Sequence, residues 1–195
     1  MHAPIRRVHP LICMSLLTLG TVAAADQPRI VENLNKLPLA FEKNQGQAPQ
    51  GVDFLARARG YSVSLSQGNA RVSLQREKAA APAEVDLRLA GDRRDPIRAA
   101  RRSLPGKVNY FLGNDPARWR TDIPTFERVE YRGVYRGVDL AYYGEQGRLE
   151  YDFIVAPGAH PDAIRLAVDG GRKISIDGAG SLAIETEVVC LAMAR

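Results

Sequence analysis

The chain has 195 residues, 45% hydrophobic and 25% charged, an average globular usage that excludes a disordered chain, a collagen-like repeat and a polytopic membrane protein. Its 27 basic and 22 acidic residues give a net charge of +5, which falls to +3 once Arg6 and Arg7 leave with the leader described next. That is too little for nucleic-acid binding by charge alone, and one domain is the default for this length.

Residues 1–25 have the pattern of a secretory signal. Arg6 and Arg7 form a basic start, Leu11 to Val22 an apolar stretch, and Ala23-Ala24-Ala25 a small-residue cleavage site before Asp26. As a helix the apolar stretch rises about 18 Å, short of the roughly 30 Å hydrocarbon core, so it does not read as a transmembrane anchor. Export to the periplasm, cell surface or medium is therefore expected. Cleavage removes Cys13 and leaves Cys190 alone, which excludes an intramolecular disulfide in the mature chain. Cys190 lies in the apolar run Val188-Val189-Cys190-Leu191 and reads as a small hydrophobe.

After a lead-in over 26–36, short apolar-alternating runs follow one another, separated by Gly, Pro and Asn. They predict strands at Val52–Ala58, Tyr61–Leu65, Ala70–Leu74, Val85–Leu89, Lys107–Leu112, Thr125–Tyr131, Val138–Tyr143, Leu149–Val155, Ile164–Val168, Lys173–Ile176 and Leu182–Glu185. Short helical turns fit Asp115-Pro116-Ala117-Arg118-Trp119 and Pro161-Asp162-Ala163. The fold expected is all-β, a sandwich-like antiparallel domain with short helical turns. Lys78 to Ala83 reads as a connector. Gly91 to Arg102, with five Arg against two Asp, reads as a solvated loop, the alternative being contact with anionic polymer or lipid headgroups. No aromatic residue interleaves those arginines to stack on bases.

Ten of the 13 aromatic residues lie between Tyr110 and Phe153, where core or binding energy must concentrate. A four-residue loop at Gly144–Gly147 would pair Tyr142 with Leu149, Leu140 with Tyr151 and Val138 with Phe153 on one face. On the other face it sets Asp139 opposite Asp152 and Ala141 opposite Glu150, gathering three acids. Directly opposed like charges destabilise a sheet unless compensated. Three explanations are open: pairing with Arg120, Arg128, Arg132, Arg136 or Arg148; a hard cation such as calcium held by Asp139, Glu150 and Asp152; or carboxylate-pair hydrolysis. The first is expected, with no cofactor and no catalytic residue. His160 is the one histidine well inside the mature chain, and it sits in a turn. Zinc-peptidase, phosphate-loop and nucleophile-elbow motifs are absent from the sequence.

Several motifs occur in order. Leu37-Pro38-Leu39-Ala40-Phe41-Glu42-Lys43-Asn44-Gln45-Gly46-Gln47 is followed by Asp53-Phe54-Leu55-Ala56-Arg57 and Gly60-Tyr61. Leu104 to Pro116 and Trp119, Tyr131-Arg132-Gly133-Val134-Tyr135, Gly137-Val138-Asp139-Leu140, Leu149-Glu150-Tyr151-Asp152-Phe153 and Ala156-Pro157-Gly158-Ala159 continue the series. Over residues 37–187 the chain resembles a bacterial domain of unknown function that opens exported proteins carrying SBBP β-propeller repeats. The resemblance implies export, a β-rich module and a surface or secreted product, without catalytic residues to carry over. His160 stands where such domains usually have an acid. Residues 188–195 read as an atypical tail, and the family's propeller repeats do not follow, which suggests a truncated product. The function expected is a non-enzymatic contact or structural module for an envelope glycan or surface protein, without nucleic acid and without a membrane span in the mature chain. The alternatives are a glycosidase-like hydrolase on the acidic cluster, a calcium-stabilised adhesion module, or a gene fragment without independent function.

Overall fold

The computed structural model describes residues 39–75, 82–145, 148–176, 182–185 and 190–193. The expected leader and lead-in, and residues 78–81 of the connector expected over 78–83, lie outside the described residues; Ala83 of that connector opens a strand. Thirteen strands are present among the described residues: β1 (Phe41–Lys43), β2 (Phe54–Ala58), β3 (Tyr61–Ser66), β4 (Asn69–Leu74), β5 (Ala83–Leu89), β6 (Ile97–Tyr110), β7 (Arg120–Tyr135), β8 (Val138–Glu145), β9 (Arg148–Val155), β10 (Leu166–Asp169), β11 (Lys173–Ile176), β12 (Leu182–Glu185) and β13 (Cys190–Met193). Single 3-10 turns stand at Pro116–Arg118 and Pro161–Ala163, both with proline in the first turn as expected. None of the described helical segments is long and apolar enough to cross a membrane.

Ten strands form one antiparallel sheet in the order β10-β5-β4-β3-β2-β1-β7-β8-β9, with β6 alongside β7; β11, β12 and β13 form a second, three-stranded sheet. The fold is all-β. β7 is the strand that makes the large sheet curl. Near its start it pairs with β1, through Phe41↔Phe126 and Glu42↔Thr125. From Arg128 onward its partner is β8. Two halves therefore face each other as in a sandwich, yet remain continuous through one long strand.

Alternation decides which side chains enter the space between the halves. Val63 and Leu65 of β3, Ala70, Val72 and Leu74 of β4, and Val85, Leu87 and Leu89 of β5 are buried, as are Val129, Tyr131, Val138, Leu140 and Tyr142 across from them. Three tyrosines tie the layers. The Tyr142 hydroxyl donates to the Gly68 carbonyl at 2.9 Å and that of Tyr131 to Asp53 Oδ2 at 3.2 Å. Tyr135 reaches the carbonyls of Ala90 and Arg165 at 2.7 and 3.0 Å. A buried phenol without an acceptor would cost about 1–3 kcal/mol, so these bonds fix how the halves stack. Ile184 of β12 joins the same core and anchors the small sheet.

Several elements differ from the sequence expectation. β1 and β13 are additional, the latter formed by Cys190–Met193 of the expected tail and paired with β12 through Glu185↔Cys190 and Leu182↔Met193. The basic run expected as a loop is strand from Ile97 onward, forming the first half of β6. Its alternation is invisible because both faces are polar or partly exposed. Ion pairs support it instead: Arg98 with Asp53 at 2.7 Å, Arg101 with Glu130 at 3.0 Å and Arg102 with Glu127 at 3.0 Å.

Close approach makes Gly144 hard to replace. A Cβ there would lie 2.3 Å from Leu39 Cβ and 2.4 Å from the Leu39 nitrogen, which belongs to backbone and cannot swing aside. Gly144→Ala should lose about 1–3 kcal/mol in urea unfolding. Gly106→Ala, with open space around it, should stay within about 0.5 kcal/mol. Equal effects would contradict the packing of Leu39 on β8.

Burial, and for Tyr131 also the neighbouring Asp53 carboxylate, pushes Tyr131 and Tyr142 well above the ordinary tyrosine value of 10.0. From about pH 10 upward the unfolded chain releases protons that the native state keeps. Stability is thus intact below pH 10 and falls as pH rises beyond it. Urea midpoints taken upward from about pH 8 should show this, and Tyr131→Phe should flatten the alkaline decline; an unchanged slope would contradict the tie to Asp53.

Candidate functional site

The three acids singled out from sequence all lie on the hairpin of β8 and β9, whose register differs from the expected one by two residues. Glu145 pairs with Arg148, Tyr142 with Tyr151, Leu140 with Phe153 and Asp139 with Ile154. Only residues 146 and 147 separate the paired strands, a connection length that matches strand twist better than the four-residue loop expected. A shift of two keeps every side chain on its face, so the apolar assignment survives while the acids move apart.

Each acid then has its own partner. Asp139 Oδ1 accepts the Gly133 N–H at 2.7 Å and thereby holds the bulge where β7 shifts register against β8. Glu150 faces Tyr143 across the pair and lies 3.9 Å from the Arg148 guanidinium. Asp152 accepts the Tyr143 hydroxyl at 3.1 Å and lies 3.9 Å from Arg128. Arg128 and Arg148, two of the five arginines named from sequence, are the ones that reach these acids. No group of three or more His, Cys, Asp or Glu among the described residues could hold a metal ion. His160 lines an open groove of about 720 Å³ with Arg136, Asp162 and Arg165.

A polar surface lies on the outer face of β2 to β5. It is a trough of about 640 Å³ walled by residues 47–52. Where Val63 and Leu65 point inward, Ser62, Ser64 and Ser66 face out, and Arg57, Arg71, Ser73, Glu84, Asp86 and Arg88 complete the floor. Arg71 holds Asp86 with two bonds, at 2.6 and 2.9 Å, and lies 3.8 Å from Glu84. Arg88 pairs with Asp169 of β10. Bidentate pairing with Asp86 fixes the Arg71 guanidinium in place instead of leaving it as a mobile charge.

The wall is built by Asn44. Its amide donates to the carbonyls of Ala48, Pro49 and Val52 at 3.4, 3.2 and 2.8 Å, while its Oδ1 accepts the N–H groups of Gly46 and Ala48 at 3.0 and 3.2 Å. Ser66 pins the far end by donating to the Gly51 carbonyl at 2.7 Å. One end of the trough adjoins a buried charge that composition could not reveal. Glu42 is 6% exposed, accepts the Tyr110 hydroxyl at 2.6 Å and lies 3.9 Å from Arg57. Burial, then the bond to Glu42, raises the Tyr110 phenol. An acid flanked by Phe41 in a short strand was the available signal, and β1 was too short to read.

Asp139→Ala should cost about 1 kcal/mol in urea unfolding, because the part-buried Gly133 amide loses its acceptor. Asp139→Asn, which keeps an oxygen there, should be nearly neutral. Calcium or a chelator should leave the midpoint unchanged; a calcium-dependent rise would restore a cation role to Asp139, Glu150 and Asp152.

No curated protein and no solved structure matches the chain. The family described as domain of unknown function (DUF7948) matches residues 41–194, which include the Asn44 wall, the tyrosine ties and the β8–β9 hairpin, and the chain belongs to that family.

Proposed function

We propose that the chain is an exported, non-enzymatic contact module of a cell-surface or secreted protein, and that the trough on β2 to β5 takes an extended, uncharged, polyhydroxylated ligand such as an envelope glycan. The observation that carries this reading is the balance of the trough. Arg57, Arg71 and Arg88 are set against Glu84, Asp86 and, through Arg88, Asp169. Such a surface has donors, acceptors and serine hydroxyls in rows, without the excess of one sign that a polyanion would need. Its shallow, open shape supports surface contact along a chain, whereas small substrates are held in clefts that bury most of them. Export is supported by the signal-like residues 1–25 and by the resemblance to exported SBBP-repeat proteins. The hydrolase alternative rested on Asp139, Glu150 and Asp152, each of which is engaged by a Gly133 amide, an arginine or a tyrosine.

Two measurements test the reading. Neutral envelope polysaccharide should bind the full chain by calorimetry, and Ser62→Trp/Ser64→Trp, which fills the trough floor, should weaken binding about tenfold or more with an unchanged thermal midpoint. No binding, or binding indifferent to the double substitution, would overturn the assignment of the trough. N-terminal sequencing of the protein recovered from the cell envelope or medium should start at Asp26; recovery from the cytosol with Met1 retained would overturn export.

A further inference from the structure

We infer that the tip of the β6–β7 arm is a lipid-contacting surface that seats Phe111, Leu112 and Trp119 in the interfacial layer of an anionic bilayer. Residues 111–119 are all exposed, and these three side chains are 62, 49 and 36% accessible. They are held as a unit. The rings of Phe111 and Trp119 meet edge to face at 5.1 Å. Asp115 accepts the Ala117 N–H at 3.0 Å, and Arg120 donates to the carbonyls of Ala117 and Trp119 at 3.2 and 2.9 Å.

The indole carries the decisive detail. Trp119 donates its ring N–H to the Gly113 carbonyl at 3.1 Å, within the same loop. The tip can thus leave water without exposing an unsatisfied indole donor to hydrocarbon, the main cost of burying a tryptophan. Charge around the tip fits the same occupant. Arg118 is exposed and makes no ion pair among the described residues, Arg120 stands beside it, and the one acid of the loop, Asp115, is engaged as a cap. Aromatic and leucine side chains at the apolar level, with arginine at the headgroups, are the pattern of interfacial anchors.

A protein partner fits less well. From usual side-chain sizes the three groups offer roughly 300 Å² of accessible apolar surface, short of the roughly 450 Å² of apolar surface per partner that a stable protein interface of standard size buries. The tip and the trough share no residue, so failure of the glycan reading leaves this inference standing.

Trp119 is the only tryptophan in the chain, which makes it a reporter of its own position. The full chain is mixed with vesicles of phosphatidylglycerol and phosphatidylcholine, or of phosphatidylcholine alone, and brominated lipids serve as quenchers. With the anionic vesicles the emission should shift to the blue and be quenched. Phe111→Ser/Leu112→Ser should weaken that partitioning about tenfold or more, and Arg118→Glu should weaken it on anionic vesicles only. Unshifted emission would overturn the inference. So would quenching undiminished in the double variant, which would show that Phe111 and Leu112 do not carry the contact. Self-association of the chain that the double variant abolishes, without a vesicle signal, would overturn it in favour of a protein contact.

Discussion

A buried phenolic hydroxyl must find an acceptor, and in this chain three of them find it on the opposite half of a single sheet. Tyr131, Tyr135 and Tyr142 are buried, and their acceptors, Asp53, the carbonyls of Ala90 and Arg165, and that of Gly68, come from the far side of the core or from the segments leading to its edges. No long helix is available among the described residues to cover the sheet. The sheet covers itself, with β7 running through both halves and the tyrosines setting how they lie over each other. The polar trough lies on the outer face of that curled sheet.

The same economy governs charge. Arginines at Arg98, Arg101, Arg102 and Arg128 meet Asp53, Glu127, Glu130 and Asp152 on strand faces, and Glu130 alone serves Arg101, Arg128 and Arg132. Directly opposed Arg101 and Arg128 would repel, but the shared Glu130 lies between them in charge. β6 and β9 end their sheet rows without a further strand among the described residues. Their Arg, Lys, Glu and Asp side chains, with Pro105 and the register shift in β6, discourage addition of another chain. Charge clusters that suggest chemistry in the sequence thus sit on edge strands of the fold, where they oppose pairing with another chain.

Much of the fold was legible where one face is buried. β2 to β5 alternate cleanly, β8 does so except at the buried Ala141, and the expected strands there agree with the observed ones to within a few residues. β6 was half missed because ion pairs, not apolar burial, hold its first part. β1 was missed because three residues carry too little pattern. The hairpin of β8 and β9 shows how site reasoning can fail inside a correct element. Sequence alternation defines faces, so a slip of two residues left Leu140, Tyr142, Tyr151 and Phe153 inward while moving Asp139 from Asp152 to Ile154. Asn44 was legible only as part of a motif, since its role is to satisfy five backbone groups of a loop that no periodicity marks.

Whether the two halves form one cooperative core is tested most directly by equilibrium urea unfolding of the full chain, followed at once by far-ultraviolet circular dichroism for the strands and near-ultraviolet circular dichroism for the buried tyrosines. Coincident transitions, both moved to lower urea by Tyr142→Phe, are the result expected of layers tied through tyrosine hydroxyls. Separate transitions, or a Tyr142→Phe chain as stable as the original, would contradict that account.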